Sequence, residues 1–167
     1  MRKKFNKGKL IWITGLSGSG KTVIAKKLKT KINDNNLFLI NGDDIRDIFN
    51  LKKYDREARL KYAHSYSKLC KKLTDQGINV IIAVVAMFDE VRKWNRNNIE
   101  NYHEIYIKTP LNLIKIRNKK KLYLSNKINV FGKDIKAEYP QQPDQIIKNN
   151  NKKNIDKIVD KLLIKMK

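Results

Sequence analysis

The chain is predicted to fold as an α/β domain: an open parallel β-sheet of about five strands with helices on both faces. Three observations carry this expectation. Strand-like apolar runs alternate with stretches of helical periodicity along the whole chain. INVIIAVVA, residues 78–86, is almost wholly apolar, as a strand covered on both faces must be. A glycine-rich segment at 15–22 joins the first strand-like run to the first helical one. With 167 residues and no internal repeat or break in composition, one domain over 1–167 is expected.

Each element has its own signal. KLIWIT (9–14) is a short apolar strand leading into the glycine-rich loop. Val23, Ile24, Leu28 and Ile32 then fall at helical spacing. LFLI (37–40) is a second strand. A short helix is expected over Ile45–Phe49. A longer one follows over Asp55–Gln76, with Leu60, Ala63, Tyr66, Leu69 and Leu73 on one face and Gly77 ending it. After the strand at 78–86, Phe88–Asn98 reads as a helix with aromatic and basic faces. HEIYIK (103–108) is a further strand. Thr109 and Pro110 are a cap and first-turn pair for the helix Leu111–Arg117. Residues 118–145 mix Lys, Asn and Gly with two of the three prolines and predict a mobile loop. QIIKN (145–149) is a last strand and Ile155–Met166 a closing amphipathic helix.

Composition narrows the class. Hydrophobic residues make up 41% of the chain, as in soluble globular proteins. Cys70 stands alone, which excludes an intrachain disulfide and fits a reducing cytoplasm. MRKKFNKGKL has no apolar core of the kind a signal peptide needs. The run 80–88 is too short to cross a bilayer, so no membrane partner is expected. The net charge of +22 has two readings. One is a nucleic-acid binder. The other is a lysine- and asparagine-rich composition spread over every segment, which is favoured because the lysines form no single arm. No nucleic-acid partner is then expected, and the field attracts a small anionic substrate.

GLSGSGKT (15–22) fits G-x-x-x-x-G-K-[ST], the phosphate-binding P-loop, and lies between a strand and a helix as that motif requires. The fold class is thereby a P-loop NTPase fold. Backbone N–H groups of Gly15, Leu16, Ser17, Gly18, Ser19 and Gly20 are expected to cradle phosphate oxygens, aided by the helix N-terminus. Lys21 would contact the β- and γ-phosphates and Thr22 would ligate Mg²⁺. The nucleotide is expected to be ATP, because no N-K-x-D motif for guanine occurs.

NGDDIR (41–46) follows the second strand and should reach the same sheet edge. A carboxylate there could accept or orient the proton of an attacking hydroxyl, or hold the Mg²⁺ shell, and Asp43 is the candidate. Arg46, one turn on, could grip an acceptor phosphate. The alternative is that Asp43 or Asp44 merely caps the short helix.

Taken together, these residues resemble the adenylylsulfate kinase family over nearly the whole length. WITGLSGSGKT matches its first strand and P-loop, and NGDDIR resembles D-G-D-N-x-R. YDREARLKY resembles D-R-x-E-N-I-R-R, and KTPL (108–111) matches D-T-P-L. KKKLY (119–123) resembles P-K-G-L-Y, and FGKDIKAEYPQQPD (131–144) resembles T-G-I-D-D-P-Y-E-x-P-x-x-P-E. The resemblance implies transfer of the ATP γ-phosphate to a ribose 3′-hydroxyl of a small nucleotide. It places Asp43 at the acceptor hydroxyl and Arg117 with the ATP. It places Arg46, Arg56, Arg59, Phe88, Leu122 and Phe131 around the substrate, and Lys120 in a lid of about 119–145 that covers both ligands. Kinases of this family are commonly homodimeric, so a homodimer is implied.

The departures from the family pattern concentrate on the acceptor side. Asn41 replaces the first acid of D-G-D. Arg59 replaces an asparagine, and Tyr62 an arginine. The two phenylalanines that bracket the substrate adenine in the family are missing. Asn50 or Leu51 stands at the first position and Val130 at the second, with Phe131 one place later and Tyr54 nearby. Stacking on an aromatic face is worth ~1–3 kcal/mol per base. AMFDEVRKWNR (86–96) replaces S-P-Y-R. A M-F-x-E…W-N-R stretch is shared with the branch that includes cytidine diphosphoramidate kinase, which acts in making the phosphoramidate decoration of bacterial capsules. The resemblance therefore favours a cytidine diphosphoramidate acceptor, with adenylylsulfate as the alternative. A reading from another class, an ATP-switched nucleic-acid-binding protein, rests on charge alone. A non-catalytic nucleotide binder rests on Asn41.

Among the remaining residues, His64 is expected on a polar helix face, His103 and Cys70 in structural positions, and Trp94 in packing. Asp89 is a weaker candidate for a second acid of the Mg²⁺ shell. No Cys/His cluster suggests zinc.

Overall fold

The computed structural model describes residues 6–117, 122–150 and 155–166. In chain order the elements are β1 (Leu10–Thr14), α1 (Lys21–Ile32), β2 (Leu37–Asn41), α2 (Gly42–Ile48), α3 (Arg56–Asp75), β3 (Asn79–Ala83), α4 (Asp89–Asn98), β4 (Tyr102–Lys108), α5 (Leu111–Arg117), β5 (Gln145–Lys148) and α6 (Ile155–Lys165). The strands form one five-stranded sheet in the order β2-β3-β1-β4-β5. Every ladder is parallel, with Trp12 aligned to Ile82 on one side and Glu104 on the other.

Strand alternation sorts the core into two layers. Leu10, Trp12, Val80 and Ile82 face α3 and α4, where they meet Ala63, Tyr66, Cys70 and Val91. Ile11, Ile13, Ile81, Ile105 and Ile107 face the other way, onto Ile24, Ala25 and Leu28 of α1 and Val159 and Leu162 of α6. The sheet is thus covered on both faces, which is why β1 and β3 read as continuous apolar runs. Cys70 is fully buried, and burial pushes its thiol up to about 12, so it serves as packing.

Two boundaries differ by more than one residue from those expected. The strand at 78–86 pairs only over Asn79–Ala83. The Val84 N–H still donates to the Ile13 carbonyl at 3.0 Å, but beyond it β1 has turned into the glycine loop, so residues 85–88 have no ladder to join. Thr14 Oγ1 instead donates to the Val85 carbonyl at 2.6 Å. The short helix starts at Gly42 rather than Ile45. A Cβ at Gly42 would lie 3.2 Å from Val84 Cγ1, so glycine lets α2 begin against the end of β3. The longer helix keeps its expected span, capped by Asp55, whose side chain accepts the Ala58 N–H at 2.9 Å.

Candidate active site

The strand order reverses direction across β1, and a cleft of about 1290 Å³ opens there at the carboxyl ends of the strands. One end of it is lined by Ser17, Gly18, Gly20, Lys21, Thr22, Arg117 and Asn149. The other end is lined by Asp43, Arg46, Tyr54, Arg59, Phe88, Leu122 and Phe131. Twelve of the seventeen site residues read from the sequence line this one concavity, although they come from six different parts of the chain.

At the first end the loop 15–20 curls between β1 and α1. Gly20 has φ 98° and ends the loop with no side-chain cap on the helix. The first-turn N–H groups of α1 are thus left for an anion. Lys21 is buried at 7% exposure, and its Nζ donates to the Leu16 carbonyl at 2.8 Å, which holds the ammonium against the loop. Ser19 Oγ is buried without a hydrogen-bond partner among the described residues, a donor that a phosphate oxygen would satisfy. Leu16 gives only backbone to the loop. Its side chain is buried and meets the turn at Gly132, where an added Cβ would come within 3.1 Å of Leu16 Cδ2.

Asn149 is the residue of this end that sequence reasoning missed. Its Nδ2 donates to the Ser19 carbonyl at 2.7 Å, and its own carbonyl accepts from Arg117 Nη2 at 2.9 Å. Thr109 Oγ1 donates to the same Ser19 carbonyl at 3.2 Å. One amide just past β5 thereby ties the loop to α5. A Cβ at Gly20 would lie 2.5 Å from Asn149 Nδ2, so a side chain there would displace the amide from the Ser19 carbonyl. The available signal was the position of Asn149 at the carboxyl end of a strand.

The acid pair resolves into two roles. Asn41 Nδ2 donates to Asp44 Oδ2 at 2.8 Å, so Asp44 is engaged across the first turn of α2. Asp43 is exposed and lines the cleft. Neither acid caps the helix as the structural alternative supposed, because both lie within its first turn and Asn41 occupies the cap.

The wall beyond Asp43 is a ladder of alternating cations and rings. Arg46 lies 4.0 Å from the Tyr54 ring centroid and 5.5 Å from that of Tyr62. Arg59 lies 5.2 Å from Tyr54 and 5.3 Å from Phe131. Phe131 meets Phe88 edge-on at 5.1 Å, and Arg56 lies 5.4 Å from Phe88. These spacings are in cation–π range. Arg46 Nη2 also donates to the carbonyls of Leu51 and Lys53 at 2.7 and 3.0 Å, pinning the segment that precedes α3. Burial lowers the pKa of Arg59, with the nearby Arg46 charge adding to the effect.

Arg56 does not line the cleft. It stands outside Phe88 and pairs with Glu138 at 3.2 Å. Glu138 also accepts the Asp89 N–H at 2.7 Å, and its carbonyl accepts from Arg92 at 2.7 Å, so it fastens the end of the lid segment to α3 and α4. Asp89 pairs with Arg92 and is engaged away from the P-loop. His64 meets Glu90 at 3.4 Å on the helix surface. Lys120 lies outside the described residues. The described part of the lid, from 122 onward, has no helix or strand before β5, only a turn closed by the Phe131–Ile135 bridge. Among the described residues no group of three or more His, Cys, Asp or Glu side chains could hold a metal, and no helix is long and apolar enough to cross a membrane.

Comparison with known proteins identifies the family. A sequence model of the family described as Adenylylsulphate kinase matches residues 7–148. A cytidine diphosphoramidate kinase of Campylobacter jejuni is 38% identical over 163 residues, covering 94% of this chain and 95% of that protein. An adenylyl-sulfate kinase of Buchnera aphidicola is 33% identical, covering 98% of this chain and 84% of that one. The solved structure of the Mycobacterium tuberculosis APS kinase in complex with AMPPNP and APS superposes with a TM-score of 0.85 at 23% identity, over 96% of this chain and 98% of that one, a likeness of fold. The chain belongs to the adenylylsulphate kinase family and is a P-loop kinase.

Proposed function

We propose that this member of the adenylylsulphate kinase family transfers the γ-phosphoryl group of ATP to the ribose 3′-hydroxyl of cytidine diphosphoramidate. The observation that carries the acceptor is the wall of the cleft. Its rings, Tyr54 and Phe131, are both engaged by Arg59 rather than standing as an open pair of faces for a purine. The 38% identity to a cytidine diphosphoramidate kinase along almost the whole chain supports the same substrate. By that likeness the product would feed a phosphoramidate modification of a capsule.

In this reading the triphosphate lies on the loop 15–20, with Lys21 against its β- and γ-phosphates and Arg117 and Asn149 beside the nucleotide end. The buried Ser19 hydroxyl, without a partner among the described residues, and the uncapped start of α1 fit a phosphate chain. Thr22, which lines the cleft at the start of α1, would hold the Mg²⁺ that accompanies ATP and neutralises phosphate charge. Asp43 accepts the proton of the 3′-hydroxyl as its oxygen bonds to the γ-phosphorus. The bond from that phosphorus to the β–γ bridging oxygen breaks, and ADP leaves. Arg46 is the cation of the acceptor end placed to meet the 5′-phosphates.

A second reading, phosphorylation of adenylylsulfate, draws on the adenylyl-sulfate kinases among the relatives and on the aromatic surface that Tyr54 and Phe131 retain. We further take the enzyme to act in the cytoplasm, where ATP is available, and as a homodimer. Exposed Phe38 on the edge strand β2, with exposed Ile48 and Phe49, supports an apolar contact between copies, which light scattering in solution would measure. Phosphorus NMR of the product tests the chemistry: a new 3′-phosphomonoester on the cytidine ribose supports it, and its absence with active protein refutes it.

A further inference from the structure

Arg59 is held in place by more than its rings. Its Nε donates to the Tyr54 carbonyl at 2.7 Å, and its Nη2 donates to the Asn129 carbonyl at 2.8 Å. These two bonds come from different segments, one from the stretch before α3 and one from the lid turn. They use two of the five N–H groups that a guanidinium carries and fix its plane. The remaining N–H groups belong to the two terminal nitrogens, on a side chain that lines the cleft. A base that approached Phe131 or Tyr54 to stack would meet this guanidinium, since it lies within 5.3 Å of both ring centroids.

A fixed fork of donors selects for a matching pair of acceptors. Cytosine offers one on its pairing edge, with O2 and N3 side by side. Adenine presents N1 as an acceptor beside the N6 amino donor, and uracil places an N3–H donor beside O2. Either would set N–H against N–H in the partly desolvated cleft, which is a penalty rather than a lost bonus. We propose that Arg59 is the specificity-determining residue for the acceptor base, its terminal nitrogens donating to O2 and N3 of cytosine. This rests on the cytidine reading given above and names the group that would enforce it.

The test is equilibrium binding of CMP, UMP and AMP to the full chain with the P-loop saturated by AMP-PNP·Mg²⁺, using calorimetry on wild type, Arg59→Asn and Arg59→Lys. On wild type, CMP should bind about tenfold or more tightly than AMP and UMP, the worth of one charge-assisted hydrogen bond. Arg59→Asn should lose about tenfold for CMP and less than about twofold for AMP, collapsing the preference. Arg59→Lys keeps the charge without the fork and should lose the preference as well, and it covers the case in which Arg59→Asn fails to fold. A merely structural role would weaken all three nucleotides together. If wild type prefers CMP and the variants keep that preference, or lose all three nucleotides equally, Arg59 does not read the base and the cytidine reading stands. If wild type prefers AMP, both fall.

Discussion

Asn41 donates a 2.8 Å hydrogen bond from Nδ2 to Asp44 Oδ2. The pair separates the two acids of NGDDIR: Asp44 is tied to the turn, and Asp43 alone of the two lines the cleft. Asp43→Asn should therefore lower kcat by about 10²–10⁴, the range for a positioned base, with the KM for ATP changing by less than about threefold. Asp44→Asn should leave kcat within about threefold and act on stability instead. Steady-state kinetics of both variants decide this. Equal losses in kcat would show that the acids act as a unit.

Lys21 lies buried with its ammonium on the Leu16 carbonyl, inside the loop that would carry phosphate. Lys21→Ala should cut kcat by about 10²-fold or more through lost charge stabilisation. Thermal unfolding should change far less than turnover, because Lys21 lines the cleft and belongs to neither hydrophobic layer of the core. Retained turnover would contradict the placement of the phosphates.

Asn149→Ala removes the amide that holds the Ser19 carbonyl at 2.7 Å and with it the stop behind the loop. The KM for ATP should rise by about tenfold, while acceptor KM stays within about twofold, since the buried Ser19 carbonyl loses the nearer of its two donors, at roughly 1–3 kcal/mol. An unchanged ATP KM would mean that Thr109 alone holds the loop.

Glu104 and Arg92 are 3% and 5% exposed, and Arg92 and Arg96 approach the carboxylate at 3.5 and 3.1 Å. Glu104→Gln should cost about 3 kcal/mol of stability in urea unfolding, because the buried Arg92 guanidinium keeps only the half-exposed Asp89 as counter-charge. A loss below about 1 kcal/mol would place the charge balance on Asp144 and Asp89 instead.

His103 is held below its ordinary pKa by burial, which outweighs the opposing effect of Asp144, and Gln145 Nε2 sits 3.0 Å from its ring Nε2. The neutral ring is thus the form the fold prefers. Its contribution to stability is full above the unfolded value of 6.5 and is lost as pH falls from there through the lower folded pKa. Unfolding at pH 7.5 and 5.0 should show His103→Asn losing less stability on acidification than wild type. Parallel losses would contradict this.

Much of the architecture was legible because the sheet is covered on both faces. Strands such as Leu10–Thr14 and Asn79–Ala83 then stand out as apolar runs between helical stretches. The P-loop and NGDDIR were legible because their residue types are tied to backbone geometry at fixed spacing. The wall was harder to read. Arg59 reaches Asn129 and Phe131 across some seventy residues, and no local pattern announces that pairing. Glu138 and Asn149 act through a few long-range hydrogen bonds, which leave no period in the sequence. The start of α2 was misplaced because Gly42, unfavourable inside a helix, stands in its first turn close against Val84.

The most direct test of the central claim is ADP release from ATP·Mg²⁺, followed in a coupled assay with cytidine diphosphoramidate and adenylylsulfate offered in parallel. The account predicts turnover with the cytidine compound and a kcat/KM at least about tenfold lower with adenylylsulfate, the size expected when a base-reading hydrogen bond is mismatched. Turnover with adenylylsulfate alone would contradict it and would mean that Tyr54 and Phe131 open to clamp a purine after all.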